Sequence, residues 1–336
     1  MIITRTPYRI SLFGGGSDHP LWFRKNGGYV ISFAINKYCY ITTRILPPFF
    51  EHKYRIAYSK VEAVRDYELI EHPVVRESIK LYAPELGLEI HHDGDLPARS
   101  GIGSSSAFAV GMIRSILALK GKYLSNMDLA NEAIILEHNI LKENVGWQDQ
   151  IACAVGGINK INFGPGDNWS LSKIDLDQNY IDQIQSRMIL FFSGIQRISS
   201  DISSGLLLSL GSKEKLIQEV MNLAVKCADL FQKRGDLDEI GEMLDYSWHL
   251  KKEMNPYSST NELDYWYEKA KSAGALGGKV LGAGGGGFML FWVGQNRRES
   301  FIKNMGPINE VPVQISNLGS SVIYQDRSQI DQGVTC

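Results

Sequence analysis

The segment that most constrains this chain is Leu96-Pro97-Ala98-Arg99-Ser100-Gly101-Ile102-Gly103-Ser104-Ser105-Ser106, which runs directly into an apolar stretch over 107–119. A stretch of that length and character predicts a helix buried in a core, so a polar loop rich in glycine and serine opens a core helix. The first N–H groups of a helix have no partner inside it, and two glycines let the backbone turn tightly in front of them. That combination is an anion site. A simple cap would need one serine rather than three. No GxxxxGK[ST] motif occurs, and Gly101-Ile102-Gly103 lacks the third glycine of a dinucleotide fingerprint.

The surroundings of this loop narrow the class. With 336 residues, 44% of them hydrophobic, the chain is long enough for about two domains with real cores. Lys plus Arg (35) nearly cancels Asp plus Glu (37), which argues against a surface that grips nucleic acid. Apolar stretches such as 28–46 contain Asn36, Lys37, Thr42, Thr43 and Arg44, so no membrane-crossing segment is expected. The opening Met1-Ile2-Ile3-Thr4-Arg5 reads as a strand rather than a signal peptide. Cys39, Cys153, Cys227 and Cys336 make no CxxC and suit free thiols in a reducing cytoplasm, the expected location.

Residues 2–13 and 28–45 read as strands, and 53–58 and 88–92 as shorter ones, with a helix over 74–82 ended by Pro84. Over 127–142, Leu129, Ala133, Leu136, Ile140 and Leu141 form one helical stripe and leave Glu132, Glu137 and Lys142 off it. A loop over 143–147 precedes Asp149, a short helix to 155 and a strand over 157–163. The second half predicts strands at 188–192, 288–293, 311–315 and 321–324, and helices over 213–233, 236–254 and 261–273. Strands and helices mix without strict βαβ alternation, which predicts an α+β fold.

Two further glycine loops complete the pattern. Phe13-Gly14-Gly15-Gly16-Ser17-Asp18-His19-Pro20 follows the first strand, where three glycines bring backbone close to whatever Asp18 and Arg9 address. Gly282-Ala283-Gly284-Gly285-Gly286-Gly287 precedes the strand at 288. Four consecutive glycines exceed what a turn requires, so this loop approaches either a ligand or another loop.

Taken together, Pro7-Tyr8-Arg9 with the first loop, the 96–107 segment and the 281–288 segment resemble the GHMP superfamily, the kinases named for galactose, homoserine, mevalonate and phosphomevalonate. The resemblance implies an N-terminal domain of the ribosomal-protein S5 domain 2 type over 1–170 and a ferredoxin-like C-terminal domain over 171–336, with ATP and substrate between them. Within the superfamily the first loop departs from galactokinases. With Gly27-Gly28-Tyr29-Val30, Lys37-Tyr38 and Gly146-Trp147-Gln148-Asp149-Gln150, it resembles bacterial D-glycero-D-manno-heptose 7-phosphate 1-kinases, although Ser17 and His19 stand where Thr and another residue are common.

That resemblance implies phosphorylation of an anomeric hydroxyl by ATP with Mg²⁺, feeding nucleotide-activated heptose for surface polysaccharide. Asp149 would accept the hydroxyl proton and Arg9 would offset charge in the transition state. Arg99, Ser100, Gly101, Ile102, Gly103, Ser104, Ser105 and Ser106 would bind nucleotide, and Ser105 with Glu137 would hold Mg²⁺, Ser104 being the alternative hydroxyl. Gly15, Gly16, Ser17, Asp18, His19, Arg197, Gly284 and Gly285 would bind substrate, whose phosphate could be met by Lys37, Lys160, Arg187 or Arg197. The alternatives are another sugar-1-kinase, L-fucokinase-like, and a sugar sensor without catalysis. A homodimer is left open, and the partners are small molecules. A metal site at His91-His92-Asp93 is disfavoured because strand neighbours point to opposite faces.

Overall fold

The computed structural model describes residues 1–195 and 213–326. The first half contains β1 (Ile2–Phe13), α1 (Pro20–Asn26), β2 (Gly28–Ile45), β3 (Tyr54–Ala57), β4 (Val61–Val64), α2 (Pro73–Tyr82), β5 (Leu88–Gly94), α3 (Ser104–Leu119), α4 (Asn126–Ile134), α5 (Gln148–Val155), β6 (Ile158–Gly164) and β7 (Asn168–Lys173). The second contains α6 (Gln178–Arg187), β8 (Met188–Phe192), α7 (Glu214–Lys233), α8 (Asp238–Met254), α9 (Asn261–Ala273), β9 (Ala275–Val280), β10 (Phe288–Val293), α10 (Arg298–Met305) and β11 (Ser321–Gln325).

β2 is long enough to serve two partners on one edge. Its residues 28–33 pair with β6 and its residues 39–45 with β5, while β1 runs antiparallel along the other edge. The apolar run after the serine loop becomes α3, buried almost throughout and packed on β1 and β2. Small polar residues let it come close: Thr4 donates to the Gly111 carbonyl at 3.2 Å, and the Thr43 and Ser115 hydroxyls meet at 2.9 Å. A second sheet, β8-β10-β9, is antiparallel and carries α8, α9 and α10. The expected α+β class is observed.

Three expectations need correction. The chain does not divide cleanly at residue 170, because β11 returns to pair with β1 and β7 straddles that position. Residues 311–315 form no strand. They make isolated bridges, Ile35 with Ile315 and Phe191 with the neighbouring Glu310, that run between the two sheets. The helix over 127–142 is α-helical only to Ile134; residues 135–140 form a π-helical turn, with the Leu141 N–H donating to the Leu136 carbonyl. Glu137, at 2% exposure, lies four residues after Ala133 and seven after Ala130, so ordinary helical spacing already puts it on the face that those two bury, not off the apolar stripe. The sequence pattern also does not predict α1, β4, β7, α6, β9 and α10, all short.

Candidate active site

The pair at the centre follows from two strands of argument in the sequence. β1 presents Arg9 to the interior at 4% exposure, and α5 begins at Gln148, so that its second residue, Asp149, faces back toward β1. Arg9 donates from Nε to Asp149 Oδ1 at 2.7 Å and from Nη2 to Oδ2 at 2.6 Å, a two-pronged contact that fixes the carboxylate plane. Its remaining Nη1 donates to the Gly101 carbonyl at 2.7 Å, tying the pair to the serine loop. Gly103 must be glycine here. Its φ is +74°, and a Cβ would lie 3.1 Å from Arg9 Cγ and 3.5 Å from Asp149 Oδ2.

Gly103 also stands at the N-cap of α3, and no side chain caps that helix. The first-turn residues Ser104 and Ser105, with Arg99, Gly101 and Gly103, line a cleft that also contains Arg9 and Asp149. Unsatisfied N–H groups, helix dipole and hydroxyls therefore converge where an anion can enter.

On the opposite side the first glycine loop brings Gly15, Gly16, Asp18 and His19 to the same cleft. Asp18 accepts from the Gly16 N–H at 2.9 Å and from Gln148 Nε2 at 3.0 Å. Burial and the nearby Asp149 push its carboxyl pKa upward. Gly146 leaves it room, since a Cβ there would sit 1.8 Å from Asp18 Oδ2. His19 caps α1 through Nδ1, which accepts from the Leu21 N–H at 3.3 Å, and burial lowers its pKa to about 4. The ring is thus neutral with its proton on Nε2, a buried donor without a partner.

A bidentate Arg–Asp pair beside an uncapped helix N-terminus accords with the expected closeness of Arg9 and Asp149, and the family itself follows from comparison with known proteins. Residues 69–157 match the GHMP kinases N terminal domain and residues 227–307 the GHMP kinases C terminal region. The chain belongs to the GHMP kinase family. It is 29% identical over 320 residues to a D-glycero-alpha-D-manno-heptose 7-phosphate kinase from Campylobacter jejuni, covering 90% of this chain and 92% of that one. It is 25% identical over 311 residues to a bifunctional fucokinase/GDP-fucose pyrophosphorylase from Arabidopsis thaliana, covering 84% of this chain and 29% of that one. A crystal structure of a D-glycero-D-manno-heptose 1-phosphate kinase from Bacteroides thetaiotaomicron shares the fold with a TM-score of 0.80 at 23% identity, covering 97% of this chain and 100% of that one. This GHMP kinase is an ATP-dependent sugar kinase. Among its described residues, no helix is long and apolar enough to cross a membrane.

Several expected site residues of the kinase lie off the cleft. Ser17 is fully buried, and its hydroxyl donates to the Gly14 carbonyl at 2.7 Å and accepts from the Tyr29 N–H at 3.1 Å; it holds the loop. Ser100 donates to the Pro97 carbonyl, Ile102 sits in the core, and Ser106 donates to Glu137 at 2.8 Å. Gly284 and Gly285 meet protein rather than ligand. A Cβ on Gly284 would lie 2.6 Å from the Ser258 carbonyl, and the Gly285 N–H donates to that same oxygen. Of the third loop, Gly282 and Ala283 reach the cleft. Arg197 lies outside the described residues. Lys37, Lys160 and Arg187 do not line the cleft, and Arg187 pairs with Asp238.

The two residues of the implied Mg²⁺ set differ in exposure. Ser105 exposes its hydroxyl at the cleft, whereas Glu137 is buried behind α3 and accepts from Ser106 and Gln150. Burial raises the Glu137 pKa to about 7, against the pull of those two hydrogen bonds. Both bonds fall on Oε2, which ties Glu137 to the loop and leaves its Oε1 without a hydrogen bond among the described residues. Among the described residues, no group of three His, Cys, Asp or Glu side chains could hold a metal ion.

Among the cleft residues that the sequence does not single out are two lysines, Lys251 of α8 and Lys279 of β9. Lys279 left a signal, a lone charge in the strand Ala275-Leu276-Gly277-Gly278-Lys279-Val280. Lys251 left none, because Lys251-Lys252 near a helix C-terminus is ordinary.

Proposed function

We propose that this kinase transfers the γ-phosphoryl group of ATP to the anomeric hydroxyl of D-glycero-D-manno-heptose 7-phosphate. The observation that carries the reading is the Arg9–Asp149 pair, placed between the uncapped start of α3 and the Asp18–His19 loop. Likeness to the Campylobacter jejuni heptose 7-phosphate kinase supplies the substrate.

In the proposed reaction the phosphates lie against the first turn of α3 and the hydroxyls of Ser104 and Ser105, the latter offering an oxygen to an accompanying Mg²⁺. When bound, that ion would neutralise phosphate charge. Asp18 orients sugar hydroxyls beside Asp149, with His19 next to it in the same loop. As the acceptor oxygen bonds to phosphorus, its proton passes to Asp149, the bond to the bridging oxygen breaks, and ADP leaves. Arg9 keeps the Asp149 carboxylate in one plane and offsets charge on the transferring group. Residues 1–170 with β11 form the half that holds phosphates, and ATP as donor places the reaction in the cytoplasm.

Release of ADP, measured over a panel of heptoses, fucose, galactose and their phosphates, tests the reading. Turnover should be fastest with heptose 7-phosphate. Faster turnover of L-fucose would replace the substrate with the fucokinase alternative, and stoichiometric binding without turnover would reject catalysis.

A further inference from the structure

The cleft holds more basic side chains, Arg9, Arg99, Lys251 and Lys279, than acids, Asp18 and Asp149. Arg9 is matched by Asp149, but Lys251 and Lys279 line the same cleft, and among the described residues neither makes an ion pair. A buried ammonium without a counter-charge is costly, so one is expected to arrive with a ligand.

The two lysines are not equivalent. Lys251 donates to two carbonyls, Val280 at 2.8 Å and Gly282 at 2.6 Å, and so anchors the third glycine loop. Lys279 is 8% exposed and makes a single hydrogen bond, to the Leu12 carbonyl at 2.7 Å. An ammonium has three N–H donors, so two remain free. Leu12 directly precedes the Phe13–Pro20 loop, and Lys279 Nζ lies 5.9 Å from the Phe13 ring centroid. This puts the ammonium beside the acceptor loop rather than at the start of α3. Burial and the neighbouring Arg9 lower its pKa, the response of a cation that lacks its partner.

We propose that Lys279 is the specificity residue of the cleft, binding through its ammonium the phosphate that the sugar acceptor already carries. The inference rests on the proposed function in taking the acceptor to be a sugar phosphate. It replaces none of the roles of Arg9 and Asp149, which address the phosphoryl group in transfer.

The experiment measures kcat and KM of the full chain for ATP, for heptose 7-phosphate and for unphosphorylated heptose, in the wild type, Lys279→Met and Lys279→Arg. Lys279→Met should raise KM for heptose 7-phosphate by ~10- to 100-fold and leave KM for ATP and turnover of free heptose within about twofold. Lys279→Arg should restore part of the preference and so exclude a folding defect. An equal loss with both acceptors, or a rise in KM for ATP, would overturn the assignment. If the wild type ignores heptose 7-phosphate but prefers another sugar phosphate in a Lys279-dependent way, the heptose reading fails and the lysine's role stands. If the wild type prefers heptose 7-phosphate and Lys279→Met keeps that preference, the lysine's role fails and the heptose reading stands. A wild type that prefers unphosphorylated sugars would overturn both.

Discussion

The loops around Gly103 and Gly284 look alike in sequence and do different work. Both are glycine-rich, both run into a buried element, and both contain positive φ angles. At Gly103 a missing side chain leaves space next to Arg9 and Asp149, in a cleft. At Gly284 it leaves space for the Ser258 backbone, and at Gly287 for the Ser100 carbonyl, so the later loop is a joint on which the earlier one rests. The Phe288 N–H donates to the Ser100 carbonyl at 3.0 Å, closing that joint. Glycine content therefore reports close approach, and what approaches is decided by the neighbouring elements.

The sharpest way to test the catalytic side of this comparison is Asp149→Asn. It removes the proton acceptor and leaves the α3 terminus intact, so kcat should fall at least ~10²-fold with little change in ATP affinity by calorimetry. Near-normal kcat in a folded variant would reject the role of Asp149.

Next comes Gly103→Val, which puts a β-branched side chain at a positive φ and against the Arg9–Asp149 pair. KM for ATP should rise ~30-fold or more and kcat should fall with it, because the clash reaches the catalytic pair as well as the phosphate loop. Unchanged ATP binding in a variant with wild-type circular dichroism would make this loop a joint like the other.

How much of this was legible follows from the range over which each signal acts. The ranges of β2, β8, α9 and β10 could be read directly, because alternation and amphipathic spacing are local. Asp149, Arg9 and the Ser104–Ser105 pair stood in recognisable motifs, and the structure brings them to one cleft. The burial of Glu137 was written in its spacing, four residues after Ala133 and seven after Ala130, and was masked only by its charge. Ser17, Gly284 and Gly285 sit in the right motifs but meet protein, through Tyr29 as well as the nearby Gly14 for Ser17 and through the distant Ser258 for the two glycines. Lys279 left a lone charge in an apolar strand, but its place in the cleft was hidden for the same reason, its contact being with Leu12 across the whole chain.

The support beneath the phosphate loop can be separated from the loop itself by Glu137→Gln. Burial lifts the folded-state pKa of Glu137 to about 7, above that of an unfolded carboxyl. Between those two values the folded chain keeps a proton that the unfolded chain has lost. Stability is therefore full at low pH and falls as pH rises toward 7, then levels. Gln cannot lose that proton, and it preserves the shape of the contact with Ser106. The variant should match wild type near pH 4.5 and exceed it by on the order of 2 kcal/mol at pH 7.5, read from urea unfolding at both pH values. A wild type and variant with parallel pH profiles would show that Glu137 titrates normally.

The mildest change is Gly284→Ala, and it bears most directly on the difference between the two loops. A single methyl at φ +102° would press on the Ser258 carbonyl 2.6 Å away, and that backbone can yield only by loosening the 255–259 turn. The Gly285 N–H already donates to the same carbonyl at 2.7 Å, so any shift also strains that bond. The cost should be about 1–2 kcal/mol, seen as a Tm lowered by a few degrees. Because Gly284 touches neither the Arg9–Asp149 pair nor the first turn of α3, kcat and KM for ATP of the folded protein should stay within about twofold. Loss of ATP affinity at unchanged Tm would mean that the later loop meets ligand after all, and the distinction drawn from its neighbours would fail.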